Sequence, residues 1–330
     1  MNLPPAFRLL AGTLLLGFLL MAAKFLAWWL THSNAILSDA LESIINVVAG
    51  AFALYSLWLS ARPRDINHPY GHGKVEFLSA GFEGALISMA GLGILAKAGY
   101  NLIHPQELER LEWGIIFTAG TGAVNGLMGL FLRRRGKRER KVVLEASGEH
   151  LLSDAFTSAG LILGLGLVWL FELPWIDNAV AIVFGGMILF MGYRLIRRSV
   201  AGILDEADMQ VLREVVALLE ANRKPPWIDI HNLRLIRYGN NYHFDCHMTL
   251  PWYFTTRQTH AEITAVHELV DREHRGQVEF FIHVDPCTPR SCPLCLMPDC
   301  PVRQYPHRRR LTWTTDKVVE NRTHVLAPEP

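Results

Sequence analysis

Cysteine and charge are both scarce in this chain of 330 residues. It has five cysteines, 19% charged residues and a formal net charge of only +1. So few cysteines exclude a disulfide-stabilised scaffold, and the 50% hydrophobic content excludes a disordered chain. A nearly neutral chain also lacks the basic surface that nucleic-acid binding requires, so we expect no nucleic-acid partner.

Long apolar runs, by contrast, fill the first part of the chain. Six of them have about 20 residues or more, the length that crosses a hydrocarbon core of about 30 Å. They are approximately Ala6–Leu30, Ala35–Ser60, Phe77–Ile103, Trp113–Leu132, Val142–Phe171 and Trp175–Ile196. Because the chain after Leu204 is polar and rich in histidine, the sequence predicts a polytopic α-helical membrane domain over residues 1–204, with six transmembrane helices.

Basic residues in the short loops predict the orientation of these helices. The segment Arg133–Lys141 after the fourth span is strongly basic. The loops Leu102–Glu112 and Glu172–Asp177 on the opposite side are mostly acidic or lack basic residues. Since cytoplasmic loops are enriched in Lys and Arg, both termini are predicted to face the cytoplasm.

Polar residues inside the spans are the informative anomaly, because an ionised group at bilayer depth is costly. Glu42 and Asn46 lie in the second span, and His150 and Asp154 lie in the fifth. Each pair has i, i+4 spacing and shares a helix face, so two facing helices could bind one divalent transition metal. A purely structural contact between helices is the alternative. Glu83 in the third span either serves transport or is a packed side chain.

The segment after the second span offers three further ligands within eight residues. They are Asp65, His68 and His72. Pro69 and the neighbouring glycines bend the backbone and let these side chains converge. This spacing is compatible with a metal site, and a solvated turn is the alternative.

The periodicity changes after residue 205. Residues 206–222 and 256–274 have helical spacing, whereas 232–238, 242–250 and 278–285 alternate like strands. The order α-β-β-α-β predicts a small α+β domain over residues 205–286, with helices on one face of a mainly antiparallel sheet.

Histidines of this domain form a second candidate metal site. Imidazole is a common metal ligand near neutral pH, although scattered surface histidines are the alternative. The candidate residues are His231, His247, His260, His283 and Asp285.

The tail of residues 287–330 is basic and contains four closely spaced cysteines. They are Cys287, Cys292, Cys295 and Cys300. Because cytosolic thiols stay reduced, this spacing predicts a tetrahedral site for zinc or another soft ion, with free or redox-active thiols as the alternative. Cys246, alone on a predicted strand, is interpreted as a core residue.

Four segments together resemble the cation diffusion facilitators over about residues 6–287. The most specific are the His-Pro-Tyr-Gly-His-Gly-Lys stretch and the His-x-x-x-Asp pair of the fifth span. The segments are Ser38–Ser43, Asn67–Glu76, His150–Asp154 and Ile282–Pro286.

This resemblance implies a transporter rather than an enzyme. It would be a homodimeric exporter in the lipid bilayer that exchanges cytoplasmic zinc, or a similar divalent cation, for protons. Its cytoplasmic domain would be metallochaperone-like. By motif position, the resemblance assigns a transport site (Glu42, Asn46, His150, Asp154), a loop site (Asp65, His68, His72) and cytoplasmic dimer-interface sites (His231, His247, His260, His283, Asp285).

The chain departs from the family pattern in two ways. The family usually has Asp at the position of Asn46, and the cysteine tail lies beyond the usual end of the family domain. The fourth loop also lacks the His-rich insert of many eukaryotic members, which favours a bacterial inner membrane.

Two rival functions are considered. A membrane-anchored metal sensor without flux is one rival. The other is an intramembrane metalloprotease, but the near match His267–Asp271 lacks the second histidine.

Overall fold

The computed structural model describes residues 5–31, 34–104, 112–171, 173, 175–239, 241–274 and 278–326. The chain forms two compact units, Met1–Leu204 and Asp205–Pro330. The division falls where the composition changes from apolar to polar.

Long helices make up the first unit. In the described part of the chain they are α1 (Pro5–Thr31), α2 (Asn34–Ser60), α3 (Val75–Ile103), α4 (Glu112–Glu139), α5 (Val142–Phe171) and α6 (Trp175–Ile203). At 1.5 Å per residue each is roughly 40 Å long or more. The most extensive pairings are α1 with α2, α3 with α6 and α4 with α5.

Four of these helices are long and apolar enough to cross a membrane, as judged from the described residues. The apolar segments are Ala6–Leu26, Ser43–Ser60, Val75–Ile103 and Asn178–Ile203. The basic end of α4 lowers its mean hydropathy, and several side chains of α5 lie outside the described residues. The six-span count therefore stays a prediction for α4 and α5.

The surface of the first unit is apolar over much of its length. Leu15, Phe18 and Leu19 of α1 are each more than half exposed, as are Met89 and Leu92 of α3. Large apolar side chains in such numbers are unfavourable in water and are expected where lipid is the solvent.

Helix α4 continues beyond its predicted apolar span. The sequence predicts an end near Leu132 followed by a basic loop, but the helix runs to Glu139. Arg and Lys are good helix formers, and Arg135 Nε lies 2.5 Å from Glu139 Oε1 one turn later. Arg140, in the left-handed conformation (φ 55°), and Lys141 make the connection to α5. Most of the predicted basic loop is therefore an extension of α4.

Close packing of α5 on α4 depends on glycine at position 148. A Cβ atom there would lie 2.5 Å from the Arg133 backbone N and 2.9 Å from the Gly129 carbonyl O. No larger side chain fits without moving one helix. Backbone contact at this turn fixes the position of His150, two residues further along α5.

The second unit contains the predicted order of helices and strands. Its elements are α7 (Met209–Ala221), β1 (Asp229–Tyr238), β2 (Asn241–Leu250), α8 (Thr256–His274), β3 (Val278–Pro286), a 3-10 helix (Pro289–Leu294) and α9 (Thr315–Val318). Asp208 caps the N-terminal end of helix α7, because its side chain accepts hydrogen bonds from the backbone N–H groups of Gln210 and Val211.

The three strands form one mixed sheet in the order β1-β2-β3. β1 and β2 are antiparallel and joined by a tight turn at Gly239 (φ 60°), whereas β2 and β3 are parallel. The expectation of a mainly antiparallel sheet is wrong for this second pair. Helix α8 returns the chain to the end of the sheet where β2 begins. β3 therefore runs in the same direction as β2.

The apolar core of the second unit lies on one face of this sheet. Phe244, Cys246 and Met248 of β2 belong to it and are at most 3% exposed, which confirms Cys246 as a core residue. His243 and His247 alternate with them along the strand, so they lie on the opposite face. The sheet thus separates the core from a histidine-rich face.

The tail after β3 packs on the same core. Trp313 is 3% exposed, and the Arg223 guanidinium lies 4.0 Å from the centre of its ring. Arg223 Nη1 also donates to the Leu311 carbonyl at 2.6 Å, and Val318 of α9 is buried in the core. The sequence predicts residues 287–330 as a separate tail, whereas the structure joins them to the unit that begins at residue 205.

Candidate metal sites

Three of the four residues predicted to bind metal within the membrane meet in the structure. Asn46 lies on α2, and His150 and Asp154 lie one turn apart on α5. The Asn46 Nδ2 group donates to Asp154 Oδ2 at 2.8 Å, and Asn46 Oδ1 lies 3.0 Å from His150 Nε2. The Asn46 amide therefore bridges an imidazole and a carboxylate across the two helices.

Glu42 is the fourth predicted ligand. It lies on α2 one turn before Asn46, and this spacing places both residues on the same helix face. The side chain of Glu42 lies outside the described residues, so its part in the site stays a prediction.

A cavity of about 60 Å³ adjoins this cluster. Helices α1, α2, α3 and α5 line it, largely with apolar side chains. Its polar lining comes from Thr13, Asn46, Glu83, Ser147 and His150. The volume gives room for a few water molecules or a partly hydrated ion.

Glu83 is the buried acid of this cavity. Its side chain is 1% exposed, and Oε1 accepts a hydrogen bond from Ser147 Oγ at 2.9 Å. Glu83 Oε2 has no hydrogen-bond partner among the described residues. The sequence left open whether this residue serves transport or packing, and the structure places it on the same cavity as Asn46 and His150.

Ion pairs join the helices at one end of the bundle. Glu76 at the start of α3 is 1% exposed and lies 3.1 Å from Lys141 Nζ. Glu145 in the first turn of α5 pairs with Arg198 of α6 at 2.7 Å. The sequence analysis missed both pairs because the partners are far apart along the chain. The first pair joins α3 to the connection before α5, and the second joins α5 to α6.

The loop between α2 and α3 brings Asp65, His68 and His72 together. Asp65 Oδ1 lies 3.0 Å from His68 Nδ1, and Asp65 Oδ2 lies 3.3 Å from His72 Nε2. All three ligand atoms lie within 4.8 Å of one another, and Gly71 (φ 88°) makes the bend. The backbone N–H of His68 donates to Asp65 and lowers the pKa of its carboxyl group. One carboxylate and two imidazoles suit a divalent transition metal.

Each strand of the sheet contributes one residue to a second set. His231 of β1, His247 of β2 and Asp285 of β3 have ligand atoms within 4.8 Å of one another. Asp285 Oδ2 lies 3.3 Å from His231 Nε2 and 3.0 Å from His247 Nδ1. His231 and His247 are direct partners in the antiparallel ladder, so the strand register builds this cluster.

The other two histidines predicted for this site differ in position. His283 Nε2 lies 3.5 Å from Asp285 Oδ1, and its ring centre is 4.7 Å from that of His247. His260 is exposed on α8 and is not part of the set of described residues that meets at Asp285. A single chain therefore brings together four of the five predicted residues.

Asp229 is a buried neighbour of this cluster that the sequence analysis missed. Its Oδ2 lies 3.3 Å from His231 Nδ1, and its Oδ1 lies 2.7 Å from His324 Nδ1. Burial opposes ionisation of Asp229, but the contacts with both histidines outweigh it and lower the pKa of this carboxyl group. His324 thus joins the tail to a carboxylate that orients His231, a predicted metal ligand.

Replacement of His324 by alanine should lower the free energy of unfolding of the second unit by about 1 kcal/mol. The contact with Asp229 raises the pKa of His324, so this stabilisation is complete below the ordinary pKa of 6.5 and declines as the pH rises through the raised value. Thermal unfolding with chelator, at about pH 6 and about pH 9, should show the larger loss at the lower pH. His307→Ala, at an exposed position of the tail, is the matched control. An equal loss at both pH values would contradict the assignment.

The four tail cysteines surround one cavity of about 40 Å³. Cys295 is buried, the other three are half-buried, and all four are free thiols. Burial raises the pKa of the Cys287 and Cys295 thiols, so both are protonated at neutral pH without a bound ion. The thiols are more widely spaced than the ligand atoms of the loop and strand sets.

Comparison with known families agrees with this arrangement of helices and sheet. The family model for the cation efflux transmembrane domain matches residues 10–204, and that for the cation efflux protein cytoplasmic domain matches residues 207–287. The chain belongs to the cation diffusion facilitator family of metal cation efflux transporters and is a multi-pass membrane protein.

Curated bacterial relatives cover most of the chain. An uncharacterised transporter of Synechocystis is 29% identical over 81% of this chain and 86% of its own length. The cation-efflux pump FieF of Cronobacter sakazakii is 26% identical over 84% of this chain and 92% of its own length. FieF of Escherichia coli is 27% identical over 82% and 89%, respectively.

Proposed function

We propose that the protein exports a divalent transition-metal cation, zinc or a similar ion, in exchange for protons. The observation that carries the proposal is the contact of Asn46 with His150 and Asp154 beside an internal cavity of the membrane unit. Glu42 completes the proposed ligand set from the preceding turn of α2. Imidazole, carboxylate and amide oxygen together suit zinc and neighbouring divalent ions.

The proposed chemistry is competition between metal and protons for the same lone pairs. A metal ion binds neutral His150 and ionised Asp154 and Glu42, so its binding releases any protons these groups carry. Protonation of the same groups weakens metal binding. If the bundle alternates between inward-open and outward-open states, an acidic exterior releases the metal there and returns protonated ligands.

The loop and strand sets are proposed to hold ions that are not transported. Asp65, His68 and His72 form the loop site, and His231, His247 and Asp285 form the cytoplasmic site. In the proposed homodimer the cytoplasmic site lies at the interface, where the exposed His260 and His283 are available to a second chain. Cytoplasmic metal would then strengthen the dimer and favour one transport state.

The proposed setting is a bacterial inner membrane with both termini in the cytoplasm. The basic C-terminal end of α4 and Lys141 support this orientation, since cytoplasmic segments are enriched in Lys and Arg. The bacterial origin of the relatives agrees with it.

Flux through reconstituted vesicles tests the proposal. Purified protein in sealed vesicles with a pH gradient should move zinc while protons move in the opposite direction, each followed by its own fluorescent indicator. The same assay with iron, cobalt, nickel, manganese and cadmium ranks the substrates. Metal binding without flux would support the sensor alternative, and flux without proton movement would exclude antiport.

A further inference from the structure

We propose that the cysteine cavity of the tail is a zinc site that is structural and separate from transport. It would take one soft divalent ion, Zn²⁺ or Cd²⁺, on four thiolates. The four side chains that line the cavity are Cys287, Cys292, Cys295 and Cys300.

The backbone around this cavity is held in place before any ion binds. The Cys287 N–H donates to the Leu250 carbonyl at 2.9 Å, which ties the first ligand to the end of β2. The Cys295 N–H donates to the Cys292 carbonyl at 3.2 Å and closes the turn that contains both residues. The Thr288 N–H donates to Ser291 Oγ at 3.2 Å in the first turn of the 3-10 helix that contains Cys292. Such rigid turns favour metal binding because less order must be gained on binding.

Arg303 supplies charge and further support on the wall of the cavity. Its guanidinium donates to the backbone carbonyls of Cys292, Cys295 and Met297. Four thiolates around Zn²⁺ carry an excess of two negative charges, which the neighbouring guanidinium partly offsets. Arg303 therefore stabilises both the turn and the loaded site.

Binding requires the four thiols to move closer together. In a tetrahedral site with Zn–S bonds of about 2.3 Å, the sulfur atoms lie about 3.8 Å apart. The thiols are more widely spaced without the ion, so their side chains must rotate towards the cavity centre. Each thiol that bonds zinc releases its proton to solvent, and neither the metal nor sulfur changes oxidation state.

The position of the cavity favours a structural role for the bound ion. The cysteines lie between β3 and the part of the tail where Trp313 and Val318 enter the core. A zinc ion there would fasten the tail to the sheet independently of the transport cluster. Truncation after Asp285 is a poor test, because it also removes Trp313 and Val318.

Cobalt spectroscopy and metal content of the full-length protein test this proposal. Under reducing conditions, wild type loaded with Co²⁺ should show a thiolate-to-metal charge-transfer band in the near ultraviolet. The double variant Cys292→Ser/Cys295→Ser should lose this band and bind about one zinc ion fewer per chain, since one tetrahedral site takes four ligands. Cys246→Ala, which removes a thiol outside the cavity, should change neither. Absence of the band in wild type, or the same band and zinc content in the double variant, would overturn the proposal.

A second and independent observation concerns Glu83, which lines the cavity beside Asn46 and His150. We infer that Glu83 binds the transported cation and provides the carboxylate that position 46 lacks, an inference that rests on the proposed function. Glu83 Oε2 is buried and has no hydrogen-bond partner among the described residues, although a buried carboxyl oxygen normally has one. A cation in the shared cavity would satisfy it.

The neighbours of Glu83 leave one of its carboxylate oxygens available to a cation. Ser147 Oγ donates a hydrogen bond to Oε1 at 2.9 Å, so Oε2 is left for a ligand. Ser147 lies one turn before His150 on α5, so the hydrogen bond joins α3 to the helix that carries two of the proposed ligands. Among the described residues no lysine or arginine lines the cavity, so a bound cation beside His150 would supply the counter-charge.

Zinc affinity and flux at one fixed pH test the role of Glu83. Glu83→Gln keeps the shape of the side chain and its acceptor for Ser147, and should lower the affinity and the flux about tenfold or more. Glu139→Gln, at the end of α4 and outside the cavity, is the matched control and should change neither. Adding Asn46→Asp to Glu83→Gln should restore much of the affinity.

The outcomes separate this inference from the proposed function. Wild-type protein without flux would contradict the function itself. Wild-type flux together with an unchanged Glu83→Gln variant would overturn only the role of Glu83. A double variant no better than Glu83→Gln alone would overturn the compensation between positions 46 and 83.

Discussion

Replacement of Asp154 by alanine should reduce metal flux by about 100-fold or more, because loss of even an outer partner of a metal ligand costs 10–100-fold. Asp154 is the carboxylate that accepts the Asn46 amide at 2.8 Å, next to His150 on α5. Without it, the described members of the predicted four-residue set are only the His150 imidazole and the neutral Asn46 amide, with Glu83 nearby on the cavity. The variant should remain folded, since the substitution also removes a charge from a poorly solvated position.

Two comparisons separate loss of a ligand from loss of structure. Thr157→Ala lies on the same helix and removes only a hydroxyl that donates to the Ser153 carbonyl, so its flux should match wild type. Asp154→Asn keeps the side-chain volume and should lose as much flux as Asp154→Ala. Size-exclusion chromatography of all three proteins reports folding. Normal flux in a monodisperse Asp154→Ala preparation would show that the transported ion does not bind here.

The contact of Asn46 with His150 and Asp154 was predictable because it depends on helical spacing. The i, i+4 pairs Glu42 with Asn46 and His150 with Asp154 indicate a shared face without any knowledge of packing. Glu83 was different, because its role depends on a hydroxyl 64 residues away on another helix. No local pattern in α3 distinguishes a cavity-lining acid from a packed one.

The C-terminal unit shows the same limit. Alternating residues predicted its strands and their histidine-rich face, but alternation contains no information on strand direction, and β3 proved parallel to β2. The tail was predicted as separate because it is basic and rich in cysteine. The residues that anchor it, Trp313 and Val318, are isolated apolar residues without a helical or strand period. The contact of His324 could likewise not be predicted, because its partner Asp229 lies at the start of β1, far away in the sequence.

Asn46→Asp should strengthen metal binding and make flux more steeply dependent on pH. In the present site the amide of Asn46 donates to Asp154 at 2.8 Å, and an ionised aspartate cannot donate. Two carboxylates at this distance cannot both remain charged unless a proton or a cation lies between them. Metal binding must displace that proton, so the variant should exchange one proton more per metal ion.

The metal flux of wild type and Asn46→Asp, measured between about pH 6 and about pH 8, tests this effect. The number of protons exchanged per metal ion is the second measurement. Asn101→Asp near the end of α3 adds the same charge away from the cluster and should leave the pH profile of wild type unchanged. The opposing interpretation is that Asn46 only joins α2 to α5 while Glu42, His150 and Asp154 hold the metal with water. In that case the added carboxylate stays outside the coordination sphere, and identical pH profiles with an identical order of metals would establish this interpretation.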